Sequence, residues 1–92
     1  MKKRKESKPV WSLKQIVEVT WRDSNGYSKW ESLADYAYLK PALCRTVGYL
    51  LHKDKKEIVI VFTQSMENEG DGNGAIAIPR GCVKSIKTLV NK

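Results

Sequence analysis

The side chains that could support catalysis are few and lie apart in the chain. The single histidine, His52, lies in a charged segment that lacks the partners of a nucleophile–base pair. Glu67 and Glu69 lie in a polar segment without the apolar surroundings that a general acid requires. Cys44 and Cys82 alone cannot complete a zinc site, and we expect both to be free thiols. The sequence therefore predicts a protein that is not an enzyme and that needs neither a metal nor a cofactor.

The glycine-rich segment 70–74 has the composition of a ligand-binding loop but not the accompanying residues. It lacks the lysine and the following helix with which phosphate-binding loops hold a nucleotide. The spacing around Asp71 also differs from the twelve-residue calcium-binding loop. We therefore interpret residues 65–74 as a polar surface loop.

Basic residues are the clearest chemical signal, because the chain has a formal net charge of +7 at pH 7. Residues 1–10 are lysine-rich and are predicted to form a flexible basic arm. A basic surface attracts polyanions and speeds their association, although such an arm could also serve only solubility. We predict nucleic-acid contacts for four residues of the arm, which are Lys2, Lys3, Arg4 and Lys5.

A second basic group lies near the C-terminal end, where residues 79–92 contain no acid. Arg80 lies at a predicted turn, and Lys84 is the second residue of the strand that follows it. A positioned arginine of this kind could contact a phosphate directly, so both residues are candidate ligand contacts. The competing interpretation is that the lysines protect an edge strand against pairing with another sheet.

Aromatic residues form the third candidate group. Tyr27 and Trp30 flank Lys29, and aromatic rings beside a basic residue can stack on nucleobases. We therefore assign Tyr27, Lys29 and Trp30 to a candidate ligand-binding site. The alternative is that these rings cover the open end of a small barrel.

The elements that must position these residues are mostly strands. Five segments alternate apolar with polar residues or are rich in β-branched residues, as strands are. They are residues 15–22, 45–51, 57–63, 75–78 and 83–89. In the long first connection, Asn25-Gly26 predicts a hairpin with a short return strand over residues 27–30. Ser32 and Asp35 then have the spacing of a helix cap, which predicts one or two helical turns.

These elements fit one mainly β domain, residues 11–92, built as a five-stranded small barrel with a short helical turn in its first connection. Val17, Val19 and Trp21 share one face of the first strand and, with Phe62, are predicted core residues. No apolar run approaches the roughly 20 residues of a membrane span. The expected location is therefore the cytoplasm.

The strand order resembles Src-homology-3-like barrels, in which a long loop follows the first strand and a one-turn helix precedes the last. The segment 77–83 is similar to the stretch in which a proline opens that turn. The chain also resembles Sm-like barrels, through Gly48 in a bent strand and through the turn at residues 80–82. The Sm-like resemblance implies ring assembly and RNA binding near that turn.

A third resemblance is to small accessory proteins of tailed bacteriophages. It is carried by the run Val17-Glu18-Val19-Thr20-Trp21, by Val47-Gly48-Tyr49-Leu50 and by Ile78-Pro79-Arg80. It implies a phage-encoded protein in the cytoplasm of a bacterial host. Its targets would be host nucleic acid, host enzymes or host defence.

Taken together, these signals predict a binding protein for nucleic acid or for a nucleotide, including a cyclic nucleotide. The alternative is a protein that inhibits a host or anti-phage defence protein by occupying its surface. The run 58–62 is apolar on both faces, so a homo-oligomer formed through a strand is a further hypothesis.

Overall fold

The computed structural model describes residues 12–91, which form a single antiparallel sheet of five strands with little helix. The strands are β1 Gln15–Asp23, β2 Ala42–Lys53, β3 Glu57–Gln64, β4 Gly72–Pro79 and β5 Val83–Asn91. A one-turn helix, α1 (Leu33–Tyr36), lies between β1 and β2, and a 3-10 turn (Arg80–Cys82) precedes β5. The five predicted strands and the short helix are confirmed.

The sheet has the order β4-β3-β2-β1-β5 and is not closed. β4 and β5 are its two edges, and these strands do not pair with each other within the described part of the chain. The mainly β class is therefore correct, whereas closure into a barrel is not observed. The predicted arm, residues 1–10, and Trp11 lie outside the described residues.

β1 is an inner strand of the sheet and pairs with both β2 and β5. Val17 and Val19 are fully buried, and Trp21 is 8% exposed, so the predicted alternation along β1 is confirmed. The Trp21 indole N–H donates a hydrogen bond to Thr46 Oγ1 over 2.9 Å, which satisfies the only polar atom of this ring.

β2 changes its pairing partner next to Gly48, at Tyr49. The strand pairs with β1 through Tyr49 and with β3 from Tyr49 to Lys53. Glycine is required at the crossing, because a Cβ atom on Gly48 would lie 2.5 Å from Ile60 Cγ2. The expectation that Gly48 allows a bent strand agrees with this geometry.

β3 supplies the other half of the core. Ile58 and Ile60 are fully buried and pack with Ile78 of β4. Phe62, however, is 47% exposed, so its assignment to the core is wrong. Phe62 lies two residues after Ile60, on the same face of β3, but its ring packs against Gly74 and not into the core.

β5 departs from simple alternation because it carries two bulges opposite β1. Lys84 is the extra residue between Val83 and Ser85, and Leu89 is the extra residue before Val90. As a result, Val83 and Ile86 both pack against the core. Without the bulge at Lys84, simple alternation would place these two residues on opposite faces of the strand.

The long connection 24–41 lies away from the core. Ser32 caps α1 as predicted, since its hydroxyl accepts a hydrogen bond from the Asp35 N–H. The predicted return strand over residues 27–30 is absent from the structure. Asn25 and Gly26 do not adopt the positive φ angles that a two-residue type I′ hairpin needs. The Asn25 amide instead bonds the carbonyl of Lys40 and ties the ends of the connection together.

Candidate anion-binding site

Arg80 is held against the turn between β2 and β3. Its backbone N–H donates to the Lys56 carbonyl over 2.9 Å, and its guanidinium Nη1 donates to the Asp54 carbonyl over 3.0 Å. These contacts bring two turns that are distant in sequence to the same end of β3. The guanidinium is thus positioned by the fold, and its remaining N–H groups can meet a ligand.

The turn itself is organised by Asp54. Its Oδ1 accepts hydrogen bonds from the backbone N–H groups of Lys56 and Glu57, over 2.8 and 2.9 Å. Its Oδ2 lies 2.8 Å from His52 Nε2. Hydrogen bonds lower the pKa of Asp54 from 3.8 to about 2. The largest cause is the bond from the Glu57 N–H, and His52 and the Lys56 N–H also contribute. The carboxylate is therefore ionised near neutral pH and is engaged within the turn.

An open concavity of about 530 Å³ lies between the two turns, lined by Lys53, Asp54, Lys55 and Arg80. Three of the four lining side chains are cations, and the single carboxylate already accepts hydrogen bonds from within the turn. The concavity is consequently positive and rich in free donors. Phosphate oxygens, which are acceptors and anionic, suit this arrangement.

His52, Asp54 and Glu57 also place potential metal-ligating atoms within 4.8 Å of one another, a cluster that the sequence analysis did not predict. The Asp54 oxygens in this cluster already form hydrogen bonds within the β2–β3 turn. Lys53 and Lys55 lie beside the cluster. Neighbouring lysines disfavour a divalent cation. The cluster is thus better explained as the scaffold of the basic turn than as a metal centre.

The aromatic candidates lie in the connection 24–41, apart from Arg80. Tyr27 and Lys29 line a smaller cavity of about 250 Å³ that shares no residue with the basic concavity. The Lys29 ammonium lies 5.0 Å from the centre of the Tyr27 ring and 3.3 Å from a Glu31 carboxylate oxygen. Trp30 is fully exposed. Because Glu31 pairs with Lys29, this cavity is less positive than the one at Arg80.

The remaining predicted residues are distributed differently. Lys84 is exposed at the first bulge of β5, four residues after Arg80, and does not line the basic concavity. Lys2, Lys3, Arg4 and Lys5 lie outside the described residues. Of the predicted contacts, Arg80 is therefore the one that lines the basic concavity. The two lysines that join it, Lys53 and Lys55, are not among the predicted contacts.

Lys53 and Lys55 lie in the charged segment around His52, for which the sequence predicts no ligand contact. The signal that could have found them is topological. In an antiparallel meander, the β2–β3 turn and the end of β4 lie at the same end of β3, so the turn residues and Arg80 must be neighbours.

A third cavity, of about 480 Å³, is lined largely by apolar and glycine residues. Val61 and Leu51 contribute to it together with Leu13, whose backbone N–H and carbonyl both bond the Gln64 side-chain amide over 2.9 Å. Among the lining residues that the structure describes, Asp71 is the only charged one. This cavity is therefore not suited to an anion.

No protein-family model matches the chain, and no curated protein or solved structure is significantly similar to it. Within residues 12–91, no helix is long and apolar enough to cross a membrane. A function must therefore be inferred from the described side chains and their charges.

Proposed function

We propose that this protein is a non-catalytic binding protein for nucleic acid or a nucleotide, and that phosphate is held at the concavity between Lys53, Lys55 and Arg80. The observation that carries the proposal is the fixed position of Arg80, whose guanidinium and backbone N–H both bond the β2–β3 turn. An arginine held in this way loses little conformational freedom when it binds a phosphate.

The fold supports the same proposal at a coarser level. β1 lies between β2 and β5, and a 3-10 turn precedes β5, as expected for a Src-homology-3-like or Sm-like barrel. We propose that the open sheet is a member of this structural class. A phage origin and a cytoplasmic location rest on the sequence pattern alone and are part of the same proposal.

The test is fluorescence anisotropy with labelled single-stranded and duplex oligonucleotides, and separately with cyclic dinucleotides, at two salt concentrations. The double variant Lys53→Ala/Lys55→Ala should weaken oligonucleotide binding. It should also make the slope of log affinity against log salt shallower by about two, because each phosphate contact contributes nearly one. Arg80→Lys should bind more weakly than wild type, since it retains the charge but loses the guanidinium fork.

The matched control is Lys40→Ala, which removes an exposed lysine of the connection 24–41 without touching the concavity. Its affinity and salt slope should stay close to those of the wild type. If Lys40→Ala weakens binding as much as the double variant does, the charge is delocalised and the site is not where we propose. Absence of binding to every ligand at low salt would refute the function itself.

A second candidate function, inhibition of a host or defence protein by surface occupation, is favoured by the exposed connection. Trp30 and the large side chains Leu33 and Tyr38 are all solvent-exposed there. Exposed aromatic residues are common anchors of protein interfaces. A bacterial protein that is captured after nuclease treatment by wild type, but not by Trp30→Ala, would support this function over nucleic-acid binding.

A further inference from the structure

β4 forms one edge of the sheet, and one side of this strand has no backbone partner among residues 12–91. Its other side pairs with β3 without a register shift, from Pro79 opposite Glu57 to Gly72 opposite Gln64. The strand has the sequence GNGAIAIP and contains no charged residue. Natural edge strands are usually protected by lysines, bulges or covering segments. Within the part of the chain that the structure describes, β4 therefore presents an unprotected edge.

The opposite edge is protected in two ways. β5 carries the exposed cations Lys84 and Lys87 and two bulges, which interrupt a regular ladder. Two copies of β5 would also bring like charges together. If the sheet extends by pairing with another strand, the pairing will therefore occur at β4.

The apolar residues near β4 indicate a missing cover. Phe62 is 47% exposed beside Gly74, and Ile76 is only half-buried although its neighbour Ile78 is fully buried. On the alternate positions, Ala75 and Ala77 are exposed on the other face of the sheet, where their small side chains would not crowd the side chains of an added strand. A strand added at this edge would extend the core over Phe62 and Ile76.

The charges at the two ends of β4 indicate what that strand is. The loop before β4 contains three acids and no base, which are Glu67, Glu69 and Asp71. The other end of β4 leads into Arg80, beside Lys53 and Lys55. When two β4 strands pair antiparallel, the acidic end of one copy lies beside the basic end of the other. A second copy of this chain therefore complements the edge in charge at both ends.

We propose that β4 pairs antiparallel with β4 of a second copy, around a two-fold axis, to form one continuous ten-stranded sheet from the five strands of each copy. This inference does not rest on nucleic-acid binding, because it depends on the strand edge and its flanking charges alone.

The test is size-exclusion chromatography with light scattering on the full chain, from low to high micromolar concentration. The wild type should move from monomer to dimer. Ala75→Lys and Ala77→Lys each place a charge on an exposed position of β4, where pairing around the two-fold axis would bring it near the same charge of the second copy, so both variants should remain monomeric. The matched control Ser85→Lys places the same charge on the opposite edge, and it should dimerise like the wild type. Circular dichroism confirms that each variant is folded.

A second measurement addresses the strand directly. Amide hydrogen exchange in residues 73–78 should slow as the protein concentration rises, while exchange in β5 stays unchanged. A wild type that stays monomeric throughout the range would overturn the proposal. So would a mass larger than a dimer that is lost in Ser85→Lys, because that result would indicate pairing of β4 with β5.

Discussion

At the scale of single residues, Gly48 determines how closely the two halves of the sheet approach. A Cβ atom there would lie 2.5 Å from Ile60 Cγ2 and 2.8 Å from the Val61 carbonyl oxygen. Ile60 is fully buried, so its methyl group has no solvent-facing position to move into. The absence of a side chain at residue 48 is therefore part of the core packing.

We predict that Gly48→Ala destabilises the protein by about 3 kcal/mol, because the added methyl overpacks a buried contact and displaces backbone. Chemical denaturation monitored by tryptophan fluorescence, in which the buried Trp21 becomes exposed on unfolding, would measure this change. Gly26→Ala is the control, since no atom lies within 4 Å of its Cβ position and its free energy of unfolding should barely change. Equal effects of the two substitutions would show that backbone entropy, and not packing, explains the result.

At the scale of elements, the β2–β3 turn connects local structure to the candidate site. The Asp54 carboxylate accepts both N–H groups that close the turn, and the Asp54 carbonyl accepts the Arg80 guanidinium. Loss of the carboxylate interactions should therefore loosen Arg80 as well as the turn. The position of Arg80 in the basic concavity therefore depends on the order of this one turn.

We predict that the turn remains ordered in acid to an unusually low pH. The pKa of Asp54 is depressed from 3.8 to about 2 in the folded protein, mainly by the Glu57 N–H. Its contribution to stability is thus fully present above the unfolded value and is lost as the pH falls through about 2. The amide proton shifts of Lys56 and Glu57, followed by NMR during acid titration, would report this.

Asp54→Asn is the matched control, because an amide oxygen can still accept both N–H bonds but does not titrate. Its turn signals should not show the transition near pH 2 that the wild type shows. If the wild-type signals titrate near the ordinary aspartate value, the hydrogen bonds to Asp54 do not persist in solution.

At the scale of the whole molecule, the basic charge is divided between residues 1–10 and the folded domain. Residues 1–8 hold a net +4 of the formal +7, through five basic residues and Glu6. The first described residues, Ser12 and Leu13, border the apolar cavity near Gln64, at the opposite end of β3 from the turn that holds Arg80. The described part of the chain therefore begins at the end of β3 that is opposite to the basic concavity.

We predict that deletion of residues 1–8 leaves the thermal midpoint unchanged and weakens binding of a long nucleic acid, with a shallower salt dependence. The bonds between Leu13 and Gln64 stay in the truncated chain. A single nucleotide should instead depend on Arg80, because its few phosphate oxygens can be bound by one guanidinium that the fold holds in place. Thermal unfolding and anisotropy on the truncated protein and on Arg80→Ala would separate these contributions. A midpoint lowered by many degrees would show that residues 1–8 contribute to the fold.

The sequence by itself determined the five strands, the capped helical turn and the buried face of β1. These features depend on local alternation, on Ser32 three residues before Asp35, and on β-branched residues, all of which are properties of short segments. Arg80 was also identified as a candidate contact from its place at a turn. Each of these predictions needs only neighbours within a few positions.

The tertiary structure decided three further features. They are the exposure of Phe62, the change in which β5 side chains face the core after each bulge, and the set of residues that lines the basic concavity. A bulge at Lys84 depends on register with β1, and Phe62 lies beside Gly74 of β4, which has no side chain to cover its ring. Lys53 and Lys55 join Arg80 only because hydrogen bonds connect residues 54 and 56 to residue 80. Such contacts link positions about 25 residues apart, so local residue patterns do not encode them.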